Sequence, residues 1–122
     1  MKPNDIINKK YLSLETYRKN NQAVKTPVWF VIYNDEIYVI TREKTGKIKR
    51  LRNNNNVRFA LCTFNGKVTG EWFEGTVIFS SPDETQMALK LRREKYGFLE
   101  MIARFVSRKK GDFVVFSIKL NK

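Results

Sequence analysis

Residues 28–52 read VWFVIYNDEIYVITREKTGKIKRLR, and the fold turns on how they are read. Two strand-like runs, 28–33 and 36–41, the second apolar over 37–40, flank Asn34-Asp35, a pair that suits the tight turn of a hairpin. The first run is apolar at every position. That predicts a strand with both faces covered, or with one face turned to a partner. The second run passes through Thr41 to Thr45-Gly46 and a short segment in which Ile48 and Leu51 stand three apart, on one side of a helical turn. Thr45 then sits as the N-cap, and the amides of Gly46, Lys47 and Ile48 have no partner within the helix. Lys47, Lys49, Arg50 and Arg52 crowd the same turn and a half, with Glu43 nearby to offset them. Cations at the positive end of a helix dipole destabilise it, and an anion held by the free amides relieves the repulsion. Phosphate is the obvious anion; a plain solvated face is the other reading of a basic run.

Working outward toward the N-terminus, residues 11–17 alternate as a strand does, and Asn20-Asn21 marks a turn. A second strand starts near Val24 and runs into the apolar segment, with Pro27 demanding an edge or a break in the ladder. Residues 1–10 read as a frayed polar end with one helical turn around Asp5-Ile6-Ile7. In the other direction, Asn53 to Asn56 tolerate left-handed backbone and end the basic helix. Residues 57–64 form a fourth strand, Asn65-Gly66 a hairpin turn, and residues 68–79 a long fifth strand that Gly70 and Gly75 can bend. Ser81-Pro82-Asp83-Glu84 starts a helix that Tyr96-Gly97 breaks. Phe98, Ile102, Phe105 and Val106 then make an apolar stripe on another helix, whose polar side of Arg104, Arg108, Lys109 and Lys110 reads as solvated. Residues 113–120 are the last strand. Six strands without βαβ alternation predict a mainly β or α+β domain spanning residues 1–122, a mostly antiparallel barrel with short inserted helices.

With 122 residues the chain can bury a core without staples. It carries 24 basic and 12 acidic residues, a net +12, so an anionic partner has to be considered: nucleic acid, an anionic membrane surface or an anionic cofactor. Cys62 is the lone cysteine, which excludes an internal disulfide and suits a reducing cytoplasm. No apolar run approaches the roughly 20 residues of a membrane helix, so membrane insertion is not expected. Histidine is absent altogether. That removes the His-based triads and most zinc sites, and shifts the chemistry to carboxylates or a bound cofactor; no metal site and no catalytic residue is read from the sequence.

Thr26-Pro27-Val28-Trp29-Phe30, then Ile37-Tyr38-Val39-Ile40-Thr41, then Gly46-Lys47-Ile48-Lys49-Arg50-Leu51-Arg52 come in an order that resembles the PPOX-class F-420-dependent split-barrel proteins, relatives of pyridoxamine 5'-phosphate oxidase. Val57-Arg58, Cys62, Gly66, Gly70, Trp72-Phe73-Glu74-Gly75-Thr76 and Lys95-Tyr96-Gly97 continue the resemblance. It implies a six-stranded antiparallel split β-barrel that pairs as a homodimer with cofactor sites at the interface. The implied cofactor is coenzyme F-420, or FMN, whose reduced ring delivers a hydride to an unidentified small organic molecule. Carried onto this chain, Lys47, Lys49 and Arg50 grip the phosphate, Thr41 adds a hydroxyl, the Pro27-Val28-Trp29 backbone runs along the ring, and Trp72 comes from the other subunit. Arg42, Lys44 and Arg52 extend the positive charge toward the longer anionic tail of F-420. A cofactor carrier without turnover is the neighbouring reading, and a basic nucleic-acid-binding barrel the rival. Against that rival, the aromatic residues sit in continuous apolar runs that suggest burial.

Overall fold

The computed structural model describes residues 2–121. After a 3-10 turn, Pro3–Ile6, the chain forms β1 (Tyr11–Tyr17), β2 (Ala23–Tyr33), β3 (Glu36–Arg42), α1 (Gly46–Asn53), β4 (Asn56–Leu61) and β5 (Phe73–Phe79). Then come α2 (Pro82–Tyr96), α3 (Phe98–Val106), a second 3-10 turn at Arg108–Lys110, and β6 (Phe113–Leu120). Every ladder is antiparallel, and the strands close in the order β1-β2-β3-β6-β5-β4. This is the mainly β, six-stranded barrel that the sequence predicts.

Alternation fills the barrel. Leu14, Phe30, Ile37, Val39, Phe59 and Phe116 are completely buried inside it, with Ile48 and Leu51 of α1 in the same cluster. Between β2 and β3, Asn34 and Asp35 take φ of 49° and 58°, the paired left-handed backbone of a two-residue hairpin. Gly75 of β5 is needed for closure. A Cβ there would lie 2.6 Å from Ile118 Cγ2 and 2.9 Å from the Lys119 carbonyl.

The apolar run is covered on both faces over residues 28–32 within one chain, and Tyr33 at its end is exposed. Phe30 and Ile32 enter the barrel, while Val31 joins Tyr38, Ile40 and Val115 under Ala88 and Tyr96 of α2. Helix α2 starts on the expected capping box: Glu84 N donates to Ser81 Oγ and Ser81 N to Glu84 Oε1. It ends at Gly97, with φ of 53°. A partner is therefore not required to explain that run.

Four local expectations change. β5 begins at Phe73, and Val68 contributes only an isolated bridge to Cys62; the Gly66 turn and Gly70 occupy the residues between. β4 ends at Leu61. Asn54 closes α1 with extended backbone, φ −148°, because the chain goes directly into β4. Helix α3 is turned over: Phe98, Ile102, Phe105 and Val106 point to solvent, and Glu100 is buried beneath it with Arg104 bonded to it.

β2 and β3 do not pair along their full lengths. Their ladder covers Phe30 to Tyr33 against Glu36 to Val39. Before Phe30, β2 pairs with β1 alone; after Val39, β3 pairs with β6 alone. The two strands fork there. Pro27, without an amide hydrogen, lies in the arm of β2 that has a free edge, as a proline in a strand must.

Candidate cofactor site

A cavity of about 370 Å³ occupies this fork. Pro27, Val28 and Trp29 line it from β2, and Ile40, Thr41 and Arg42 from β3. The start of α1 adds Thr45 and Lys47, α2 adds Arg92, and Ala103, Ser107, Lys110 and Phe113 complete the wall. Four of these residues are cations, Arg42, Lys47, Arg92 and Lys110, and none is a carboxylate. The arrangement selects anions.

Each wall has a cause. Thr45 stands at the N-cap, but its hydroxyl donates to the Arg42 carbonyl (2.9 Å) and does not cap the helix, so the first amides of α1 remain open. Lys47 is half-buried beside that end, and burial, then Arg50 and Lys110, hold its ammonium below the usual lysine pKa. Trp29 lies flat on Tyr96, centroids 4.1 Å apart and planes 7° from parallel. Tyr96 is fixed in turn: its hydroxyl donates to the Lys10 carbonyl (2.7 Å) and accepts from Phe30 N (3.1 Å).

Arg42 is committed to structure. Its guanidinium donates to Ser107 Oγ, the Gly111 carbonyl and the Arg104 carbonyl at 3.0–3.1 Å, over the ring of Phe113. It ties α3 to the end of β3 and has little left for a ligand. Arg92 is the opposite case. Only 6% exposed, it approaches Glu100 Oε1 at 3.8 Å, beyond hydrogen-bond reach, while Arg104 holds that same oxygen at 3.0 and 2.6 Å. Arg92 Nε and Nη1 are buried with no hydrogen-bond partner. Burial lowers the guanidinium pKa, and Glu100 partly offsets this. Closed off from solvent and unpaired, these two donors are an uncompensated cost inside the fold, and it is the remainder of the guanidinium that can meet the cavity.

The residues expected from sequence do not all meet. Pro27, Val28, Trp29, Thr41 and Lys47 line the fork cavity together. Lys49 and Arg50 line a second cavity of about 390 Å³ on the other side of α1, with Tyr17, Arg18 and Lys19. There Arg50 Nε donates to Thr16 Oγ1 at 2.7 Å. Lys47 and Arg50 are three apart on α1, yet face different spaces. Trp72 lines neither cavity; Lys25 and Arg58 lie 5.1 and 5.0 Å from its ring. Sequence reasoning missed Arg92, Ser107, Lys110 and Phe113. A signal for Arg92 existed: α2 buries Ala88, Arg92 and Tyr96, four residues apart, so the arginine interrupts an otherwise inward stripe. Among the described residues no cluster of potential metal ligands occurs.

Comparison with known proteins agrees with this architecture. Among solved structures, the conserved hypothetical protein Rv2991 from Mycobacterium tuberculosis superposes with TM-score 0.74 at 22% identity, covering 97% of this chain and 78% of that one. The heme storage protein HutZ from Vibrio cholerae matches with TM-score 0.71 at 14% identity, over 100% of this chain and 92% of its own. An F420 reductase matches with TM-score 0.63 at 16% identity, over 97% and 92%. Identities this low establish a shared fold. No curated protein matches the chain. The family model described as pyridoxamine 5'-phosphate oxidase matches residues 5–122, nearly the whole sequence, and the chain belongs to that family.

Proposed function

We propose that this chain is an oxidoreductase that binds coenzyme F-420, with FMN as the alternative, in the fork between β2 and β3, exchanging a hydride with a small organic substrate. The supporting observation is the cavity itself: four cations without a carboxylate, beside open helix amides and a flat, braced tryptophan. The residues present fit such a group. Its phosphate meets Lys47, Lys110 and the amides at the start of α1. Its ring follows the Pro27-Val28-Trp29 edge, Thr41 offers a hydroxyl, and the Arg92 guanidinium in the wall adds positive charge toward a further oxygen. When bound, either cofactor supplies a ring that carries a hydride equivalent. The chain's own part is to bind that ring, orient it and keep water from it. No residue is assigned as acid or base.

F-420 is favoured over FMN because Arg18, Lys19, Lys49 and Arg50 continue the positive charge around α1, where a longer anionic tail can follow. Arg42 is unsuited to that task, since its donors are occupied. The absence of histidine removes the commonest axial ligand of haem. A carrier that binds F-420 without turnover is the neighbouring reading. The nucleic-acid alternative is disfavoured because Trp29 is stacked internally and Phe30 and Tyr96 are buried. In this reading the protein is a cytoplasmic homodimer, with Trp72 of one copy reaching the cavity of the other.

The test is the absorbance spectrum of freshly purified protein, followed by fluorescence titration with F-420 and with FMN. Saturable binding of F-420, tighter than that of FMN, is expected; no binding of either removes the proposal. Light scattering at micromolar concentration is expected to give a dimer, and a monomer would remove the shared-site part.

A further inference from the structure

Helix α3 carries its polar side inward. Glu100, Ala103, Arg104 and Ser107, at i, i+3, i+4 and i+7, face the body of the protein. Glu100 is 2% exposed and bonded to Arg104, and Ser107 Oγ accepts from Arg42 Nε. These contacts fix the rotation of the helix about its axis. The consequence is an outer face of large apolar side chains: Phe98 is 71% exposed, Met101 64%, Phe105 66% and Val106 75%, with Leu99 and Ile102 half-exposed. Single exposed apolar residues are ordinary; six on nine consecutive positions form a patch that needs an occupant.

We propose that this face docks on an anionic lipid surface, lying in the plane of the interface and not crossing it. Two observations select that occupant. The first is charge. Residues 98–110 contain one acidic side chain, Glu100, and it is buried; Arg108, Lys109 and Lys110 follow the apolar face at once and are exposed, on a chain of net +12. An apolar helix face with a cationic flank matches the acyl boundary below anionic headgroups. A second copy of the chain would bring the same positive charge against it. The second is size. Nine residues rise only about 13 Å along a helix roughly 10 Å wide, a footprint well short of the roughly 800 Å² per partner that a stable protein interface covers. Lipid requires no complementary partner surface, so a short helix suffices. The outer face lies on the side of α3 opposite Ala103 and Ser107, which line the fork cavity. The proposal rests on α3 alone and is independent of the cofactor.

The experiment is flotation of the full chain with two kinds of vesicle, one of equal parts phosphatidylglycerol and phosphatidylcholine, the other of phosphatidylcholine alone. The wild type is expected to float with the first and remain behind with the second. Phe98→Ser combined with Phe105→Ser should lower partitioning by more than about tenfold, since each ring loses its transfer into the acyl region. Both side chains are exposed, so the melting temperature should not fall. Arg108→Ala and Lys109→Ala should each weaken partitioning on the order of fivefold. Equal floating with both vesicles, or floating with neither, overturns the proposal. So does a double-Phe variant that changes a dimer into a monomer without affecting flotation, because the face then joins copies of the chain.

Discussion

Replacing Arg92 by methionine separates a ligand contact from a structural tie. Met has similar length and is apolar, so Arg92→Met removes the charge and both orphaned donors while leaving the space largely filled. Each buried unsatisfied donor costs roughly 1–3 kcal/mol, and Arg92 has two. Against that stand its positions about 5 Å from the rings of Trp29 and Phe113, contacts of about 0.5–2 kcal/mol each. The pair with Glu100, at 3.8 Å, has no hydrogen bond to lose, and Arg104 still satisfies that carboxylate. The balance favours the variant by about 1 kcal/mol, in line with other buried charges replaced by apolar residues. For a domain of this length the melting temperature should rise by about 3–5 °C. F-420 binding should weaken about 10- to 100-fold, the worth of a charge-assisted hydrogen bond from the part of the guanidinium that lines the cavity. Calorimetry without ligand and fluorescence titration with F-420 measure the two effects. A lower melting temperature with unchanged binding would refute the argument, because it would make Arg92 a brace between α2 and α3.

Lys47→Ala should weaken both F-420 and FMN about 10- to 100-fold and leave the melting temperature of the free protein equal or slightly higher; Arg50→Ala should affect F-420 alone and Lys109→Ala neither, all read by the same titrations. Lys95, which donates to the Phe30 carbonyl, is held at about 8 first by burial and then by Lys10, against an ordinary 10.5. Between those values the unfolded chain binds more protons at this site, so the residue's contribution to stability rises with pH across that window. Melting curves of the wild type and Lys95→Met, compared below 8 and just under 10.5, should show the wild type gaining on the variant, and an unchanged difference would contradict the assignment. Gly75→Ala should cost about 1–3 kcal/mol in urea unfolding, because the new methyl group meets Ile118 and the Lys119 carbonyl.

The barrel was legible because its signals are local and agree. Alternation gives the inward faces, Asn34-Asp35 fixes a hairpin, and Ser81 to Glu84 fix a helix start. The site was legible only where it follows the chain continuously: Pro27 to Trp29, Thr41 and Lys47 belong to one supersecondary unit. Spacing suggested that Lys47 and Arg50 act together, but α1 packs Ile48 and Leu51 against the barrel, and the two cations, though neighbours on the helix, open into different cavities. Arg92 and Lys110 reach the cavity from elements more than forty residues downstream, which only tertiary packing brings back. Helix α3 was misread because periodicity finds an apolar stripe without saying which way it faces. Here Arg42 and Arg104 fix the orientation from the polar side.

The fork between β2 and β3 also bears on motion. Along the open arms, amides directed across the gap have no rung to close them, so they should exchange with solvent faster than those of the ladder from Phe30 to Tyr33. A molecule seated in the cavity touches both arms at once and stands in for the missing rungs. Hydrogen exchange at Trp29 and Ile40, whose amides point across the gap, should therefore slow as the cavity fills, and the seam should close as ligand concentration rises.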